Sequence, residues 1–185
     1  MSGNNLQKLP KKDLINIITM LSKNWYTVDG LWFQGVEEKY GMVAAMELDL
    51  RMWERMPLIE ARRIKETVKI KEKGIEGVMK TINFMSWALA YPFECEEVTP
   101  ARAVMVCRDC VPQRSRASHG QEEFPCRTVG EAMFRRIIEA IDPRVQFRCL
   151  NCPPGEHPKE FWCKWELTLP TDTPPRKKVE RKKKK

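Results

Sequence analysis

The segment TVGEAMFRRIIEAIDPRVQFRCLNCPPGEHPKEFWCKWELTL, residues 128–169, decides the fold. It begins with the Thr-x-x-Glu form of a capping box, Thr128 to Glu131, and continues with apolar residues every three or four positions, as on the buried face of a helix. Asp142-Pro143 ends this pattern, because a residue before proline disfavours helical geometry. Two β-rich runs follow and predict strands over 145–151 and 161–169, joined by a Pro-Pro-Gly turn.

The residues before this segment add a second hairpin and a helical N-terminal half. Two β-rich runs flank Thr99-Pro100, and the second predicts a strand over 102–110, followed by a polar loop that contains Gly120. Apolar residues at helical spacing predict helices over 11–40, 42–56 and from Pro57 to about residue 90. Asp29-Gly30 and Gly41 are the predicted breaks. The fold class is therefore α+β: a helical N-terminal half packed on a small antiparallel sheet with one crossing helix.

Length and composition predict one soluble domain. The chain has 185 residues, of which 42% are hydrophobic and 31% charged, as is typical of a globular protein. We expect disorder over 1–9, a single domain over 10–170 with a helical part (10–90) and a Cys-rich part (91–170), and a basic disordered tail over 171–185. The N-terminus has no secretory signal pattern and no apolar run is long enough for a membrane helix, so we expect a cytoplasmic protein without membrane contact.

The positive charge is concentrated at the C-terminus. RKKVERKKKK, residues 176–185, carries +7 of the net charge of +8. Such a run attracts polyanions without reading their sequence, and we favour a solubilising tail with weak, non-specific polyanion binding over a dedicated binding arm. The residues expected to make that contact are Arg176, Lys177, Lys178, Arg181 and Lys182.

Six of the seven cysteines lie between residues 107 and 163, two pairs of them at C-x-x-C spacing. In a reducing compartment such thiols are more often metal ligands or reactive groups than disulfides. The candidate ligands are Cys110, Cys126, Cys149, Cys152 and Cys163, and thiolates favour zinc or an iron-sulfur cluster. His157 could be a ligand, although Glu156 and Pro158 beside it favour an exposed loop.

Strand geometry brings two of these thiols together. If the last hairpin is symmetrical about residue 156, Cys149 lies opposite Cys163 and Phe147 lies opposite Trp165. The same arrangement permits three states: a metal site, which we favour, buried or redox-sensitive thiols without a metal, and a cross-strand disulfide.

Several long motifs resemble one family in order along the chain. NWYTVDGLWFQGVEEKYGMVAAMELD, DCVPQRSR, GQEEFPCRTVGEAMFRRIIEAIDPRVQFRCLNCPPGEHP and WCKWELTL together resemble a bacterial and archaeal family of unknown function, labelled only cytosolic protein, over about residues 20–169. The five candidate ligands match that family's pattern, whereas Cys107 does not, and Thr27 stands where the family has a histidine. The closing cysteine hairpin also looks like those of 2-aminothiazoline-carboxylate hydrolases and 4-vinyl reductase domains.

The sequence has no standard catalytic signature, and two groups are the candidates for chemistry. Cys126 could be the nucleophile of a hydrolase. Asp29 lies between Trp25 and Trp32 on one helix stripe, where a desolvated carboxyl could serve as a general acid or hold a ligand. The alternative, which we favour, is that Asp29 and Gly30 mark a helix break and the tryptophans belong to the core. Glu37 and Glu38 are expected to face solvent and pair along the helix.

Three functions are consistent with these patterns. The first, which we favour, is a small-molecule-binding or redox-sensing protein organised by a Cys-ligated metal. The second is a hydrolase of a small amino-acid-derived or thiol-containing substrate with a cysteine nucleophile. The third is a nucleic-acid accessory protein bound through the tail.

Overall fold

The computed structural model describes residues 5–170; the predictions made for the basic tail, residues 171–185, lie outside it. A short 3-10 helix, Asn5–Lys8, precedes three helices: α1 (Lys11–Trp53), α2 (Met56–Thr67) and α3 (Gly74–Ile82). Within residues 5–170, no helix combines the length and apolar character that a membrane crossing requires.

The N-terminal helices differ from the prediction in where they break. Gly41 interrupts α1 with φ 83° and ψ 166°, a conformation that L side chains avoid, so the predicted break there is confirmed. The break expected at Asp29-Gly30 is wrong, because α1 runs through both residues. Pro57 lies in the first turn of α2 as expected, where its missing N–H costs nothing. The predicted helix over 57–90 is divided instead, and residues after α3 form turns.

The C-terminal half alternates strands and helices. It contains β1 (Glu94–Val98), β2 (Arg102–Cys107), α4 (Val111–Ser118), α5 (Arg127–Ile141), β3 (Gln146–Asn151) and β4 (Cys163–Thr168). The polar loop expected before Gly120 is wrong, since α4 occupies most of it. The helix α5 begins at Arg127, after Cys126 as N-cap without a side-chain cap bond, so the predicted capping box at Thr128 is absent. The fold is α+β, as predicted.

The four strands form one antiparallel sheet in the order β1-β2-β4-β3. The predicted register of the last hairpin is wrong by two residues: Cys149 pairs with Trp165 and Phe147 with Leu167. An irregularity between Cys149 and Asn151 and an asymmetric loop account for the shift. Cys163 pairs instead with Cys107 of the neighbouring strand β2.

The helix α5 packs on the sheet and closes the core. The Phe134 ring lies 4.8 Å from that of Trp165, and both side chains are fully buried. Gly130 permits this approach, because a Cβ atom there would lie 2.6 Å from the Trp165 ring. The packing fixes Trp165 at the end of the sheet where Cys107 and Cys163 pair.

Partly buried hydrogen bonds tie the segment after α3 to α1 and α2. The Ser22 hydroxyl donates to the Ser86 carbonyl and accepts from the Ala90 N–H at 3.1 Å. The Glu60 carboxylate of α2 accepts from the Ser86 N–H at 2.6 Å. These bonds hold the aromatic residues of this segment against α1.

Candidate ligand cavity and cysteine cluster

A cavity of about 460 Å³ lies between α1, the segment after α3, the N-terminal ends of α4 and α5, and the cysteine end of the sheet. Aromatic side chains from several parts of the chain line it: Tyr26, Trp53, Trp87, Tyr91, Phe124 and Trp165. A volume of this order, with apolar walls and a few polar groups, is typical of small-molecule sites.

The mouth of the cavity runs along α1. Lys23, Thr27 and Leu31 line the cavity and are exposed, so the cavity opens to solvent along this side of the helix. Gly30 also lines this wall, and a Cβ atom there would meet nothing within 4 Å. A side chain at position 30 would therefore have free space at this edge of the cavity. The helix is continuous through Gly30.

Two carboxyl groups of α1 line the cavity, one on each side of the Gly41 break. Burial raises the pKa of Asp29 to about 6. Burial also raises the pKa of Asp49 to about 7, the charge of Asp29 adds to the rise, and a hydrogen bond with Trp53 opposes it. No cation contributes to either pKa. The two carboxyls therefore share one poorly solvated site without a counter-charge from residues 5–170.

The indole of Trp87 provides a second unsatisfied polar group. Trp87 lines the cavity and is 4% exposed, and its Nε1 atom is buried without a hydrogen-bond partner in the described part of the chain. Buried indole N–H groups ordinarily have an acceptor, since leaving one unpaired costs about 1–3 kcal/mol.

The cavity wall at α4 is held by a buried ion pair. Arg116, 6% exposed, donates from its two terminal nitrogens to the Glu37 carboxylate at 2.7 and 3.0 Å. Glu37 is thus not one of the solvent-facing charges that the sequence suggested. Gln113, fully buried beside this pair, bonds the backbone of Phe124 through both ends of its amide. These contacts join α4 to α1 and to the loop before α5.

The inner end of the cavity is a cluster of cysteines, which we define as Cys107, Cys110, Cys126, Cys149, Cys152 and Cys163. All six are free thiols. Cys152 is their centre: its sulfur lies 3.2 Å from that of Cys126, and the thiols of Cys149 and Cys163 are near enough to affect its pKa. Cys163 and Cys110 likewise lie near enough to affect the pKa of Cys107. The six residues therefore form one network of neighbouring thiols.

The network favours ionisation at Cys163. The thiols of Cys107 and Cys152 donate to its sulfur and hold the Cys163 pKa well below the ordinary value, whereas the pKa values of those two donors rise. Cys110 and Cys126 are the N-caps of α4 and α5, so the positive ends of two helix dipoles meet at the cluster. Both effects favour negative charge on sulfur.

As the side chains stand, no group of three or more His, Cys, Asp or Glu residues within 5–170 is arranged to hold a metal ion. Neither histidine forms a hydrogen bond with a thiol of residues 5–170. His157 bonds Glu123 through Nε2 at 3.1 Å, and His119 bonds the Ser115 carbonyl at 2.7 Å. The metal site expected from the sequence stays a prediction.

The structure separates the three residues that were predicted to hold a ligand. Asp29 lines the cavity, Trp25 is half-buried against the core, and Trp32 is 72% exposed on the outer face of α1. Of the predicted metal ligands, Cys110, Cys126, Cys152 and Cys163 line the cavity and Cys149 lies behind Cys152 in the cluster.

Sequence reasoning missed four residues of the site. Asp49 and Trp53 lie one helical turn apart on α1, a pattern that the sequence does not distinguish from an exposed acid beside a core tryptophan. Trp87 lies in a segment predicted as helix, where it carried no signal. Cys107 was not among the candidate ligands because it does not match the cysteine pattern of the family that the sequence resembles, although it has C-x-x-C spacing with Cys110.

The model of one protein family, the family of unknown function DUF6125, matches residues 7–169. The match covers most of the chain, which therefore belongs to this family. No curated protein and no solved structure matches it. The likeness to an uncharacterised family is thus confirmed, while its taxonomic range and the two more distant likenesses stay predictions.

Proposed function

We propose that this member of the DUF6125 family is a small-molecule-binding protein that takes its ligand into the cavity between α1 and the cysteine end of the sheet. The observation that carries the proposal is the cavity itself, about 460 Å³ lined by aromatic side chains from separate parts of the chain. Burying such surface against a ligand contributes roughly 25 cal/mol per Å².

The polar groups of the cavity support the same function. Asp29 and Asp49 are costly to bury without a counter-charge, and a ligand that supplies one recovers that cost. A cavity that served packing alone gains nothing from such groups. The family membership assigns no activity, so the proposal depends on the geometry of the site.

The test uses a matched pair of glycine substitutions on α1. Gly30 and Gly35 both have open space around a Cβ atom, but only Gly30 lines the cavity. Gly30→Leu and Gly35→Leu each raise helix propensity, so we expect both to stabilise the protein by about 0.5–1 kcal/mol. Only Gly30→Leu places a side chain in the cavity wall.

Binding is measured with N-phenyl-1-naphthylamine, a neutral fluorescent probe of apolar cavities. We expect saturable binding at one site per chain, lost in Gly30→Leu and unchanged in Gly35→Leu. Equal binding by both variants, or absence of saturable binding to the unmodified protein, would contradict the proposal.

A second candidate function is a thiophilic metal site in the cysteine cluster. The contact of the Cys152 thiol with three other thiols favours it, because tetrahedral thiolate sites place four sulfurs around one ion at about 2.3 Å. Cys126, Cys149, Cys152 and Cys163 are the residues that would turn onto a common centre. The helix N-termini at Cys110 and Cys126 would stabilise the resulting negative charge.

This candidate is tested by counting metal per chain in protein purified without oxygen and without nickel affinity resin. We expect zinc or iron near one site per chain, lost in Cys152→Ser. Cys95→Ser is the control, because Cys95 is exposed on β1, outside the cluster. Metal-free, folded protein, or equal metal in both variants, excludes the site and leaves the redox-sensing alternative for the thiols.

The hydrolase alternative stays a prediction with Cys126 as its nucleophile. Cys126 lines the cavity, but its hydrogen-bond partners include the Gln113 amide at 3.7 Å, which donates and cannot act as a general base. Cys163 also lines the cavity, and hydrogen bonds from Cys107 and Cys152 lower its pKa, so it is the better placed thiol for such chemistry.

A further inference from the structure

We infer that the ligand is an organic cation: an amine or related base with an aromatic or apolar body of drug-like size or smaller. The inference rests on the proposed function, since it names the class of molecule for the same cavity. Two features carry it: the paired carboxyls of α1 and the aromatic walls around them.

Asp29 and Asp49 are the carboxyl groups that line the cavity, and no salt bridge within residues 5–170 includes either. Asp29 and Asp49 are near enough for one charge to hinder ionisation of the other, and no side-chain cation offsets them. A carboxylate pair in a poorly solvated site attracts a cation, because the attraction is screened less there than in water. A ligand cation would therefore be bound most strongly beside these groups.

The aromatic walls favour the same charge. Tyr26, Trp53 and Trp87 line the cavity with Asp29 and Asp49, and aromatic faces attract ammonium groups by about 0.5–2 kcal/mol. The Trp53 indole also lies near enough to Asp49 to lower the pKa of that carboxyl by hydrogen bonding. Aromatic rings combined with carboxylates form the usual protein site for organic ammonium ions.

The other ionisable groups around the cavity leave this preference intact. Arg116 is taken by Glu37, and Arg114 pairs with Asp109 while it lies over the Tyr91 ring. Lys23 is exposed at the mouth. The remaining ionisable side chains that line the cavity are Tyr26, Tyr91, Cys107, Cys110, Cys126, Cys152 and Cys163, none of which adds positive charge.

The first experiment compares three probes with one aromatic body: tryptamine, which is cationic, tryptophol, which is neutral, and indole-3-acetate, which is anionic. Binding to the full chain is measured by calorimetry at pH 7.5. We expect the affinity order cation, neutral, anion, with the cation at least about tenfold tighter than the neutral probe. Equal affinities, or a preference for the anion, would overturn the inference.

Variants then locate the charge. Asp29→Asn and Asp49→Asn should each weaken tryptamine binding about tenfold while leaving tryptophol unchanged. Both changes keep the side-chain size, and an uncharged group is cheaper to bury, so folding is not at risk. Glu47→Gln is the control, an exposed carboxylate on the same helix. Loss of affinity for the neutral probe as well would contradict a charge-specific role.

The pH dependence gives a separate check. Tryptamine stays protonated from pH 5 to 8, whereas the Asp29 and Asp49 carboxyls ionise with pKa values of about 6 and about 7, so its affinity should rise across this range. An affinity that is flat or falls with pH refutes the inference. If neither tryptophol nor N-phenyl-1-naphthylamine binds, both the proposed function and the inference fail. If both probes bind but tryptamine binds no more tightly than tryptophol, only the inference fails.

Discussion

Replacing Asp49 with asparagine should make the protein more stable at alkaline pH. Asp49 lies on α1 after the Gly41 break and lines the cavity. Burial raises its pKa from 3.8 to about 7, and the charge of Asp29 adds to the rise. Asparagine has nearly the same shape and can still accept the Trp53 hydrogen bond, so the substitution removes the charge with little change in packing.

The sign and size of the effect follow from proton linkage. Between pH 3.8 and about 7 the folded protein keeps the Asp49 proton that the unfolded chain has lost, so stability falls as pH rises through this window. At about 1.4 kcal/mol per pH unit, the full difference corresponds to about 4 kcal/mol. The carboxyl is half-buried, and solvent screening reduces the expected effect to about 2–3 kcal/mol.

The assay is urea unfolding of both proteins at pH 4 and pH 8. We expect the two stabilities to differ least at pH 4, where the folded protein keeps the Asp49 proton and the unfolded chain has lost it only in part, and Asp49→Asn to be more stable at pH 8. Glu47→Gln is the control; its carboxylate is 63% exposed, so its profile should follow that of the unmodified protein. Parallel profiles for Asp49→Asn, or a loss of stability at pH 8, would refute the buried-carboxyl account.

Two further predictions concern contacts that position the cavity walls. Gly130→Ala should destabilise the protein by about 1–2 kcal/mol in thermal or urea unfolding, because the new Cβ lies 2.6 Å from the Trp165 ring and overpacking outweighs the gain in helix propensity; unchanged stability would show that the ring moves freely. Glu37→Gln should cost about 2–4 kcal/mol by leaving the buried Arg116 guanidinium without a counter-charge, whereas Glu38→Gln, at an exposed neighbour, should change urea stability by less than about 0.5 kcal/mol. Equal effects of the two glutamate changes would contradict the buried pair.

Local chemistry made part of the fold predictable from sequence. The helix start at Pro57, the hairpin around Thr99-Pro100 and the helix that Asp142-Pro143 ends each depend on residues that act within one turn of the chain. The helix α4 was missed because it is short and polar, and it is held by tertiary bonds such as those of Gln113. Periodicity contains no signal for such a helix.

The site was less predictable because it depends on contacts between distant segments. The register of β3 against β4 is set by an irregularity at Cys149 that no symmetric hairpin rule contains. Asp29 was a candidate on its own. The proximity of Asp49 to Asp29 depends on how the two halves of α1 are arranged at Gly41, which the sequence does not show. The cysteine cluster was predicted as a group, since C-x-x-C spacing is local; its centre, Cys152, was not.

The most direct test of ligand binding in the cavity uses the six tryptophans of the chain. Trp53, Trp87 and Trp165 line the cavity, and the other three do not, so their indole N–H signals in a nitrogen-15 spectrum are internal controls for one another. On titration with N-phenyl-1-naphthylamine, we predict saturable shifts of the three cavity signals while the others stay in place. Shifts confined to the other three tryptophans, or no shifts, would contradict a ligand site between α1 and the sheet.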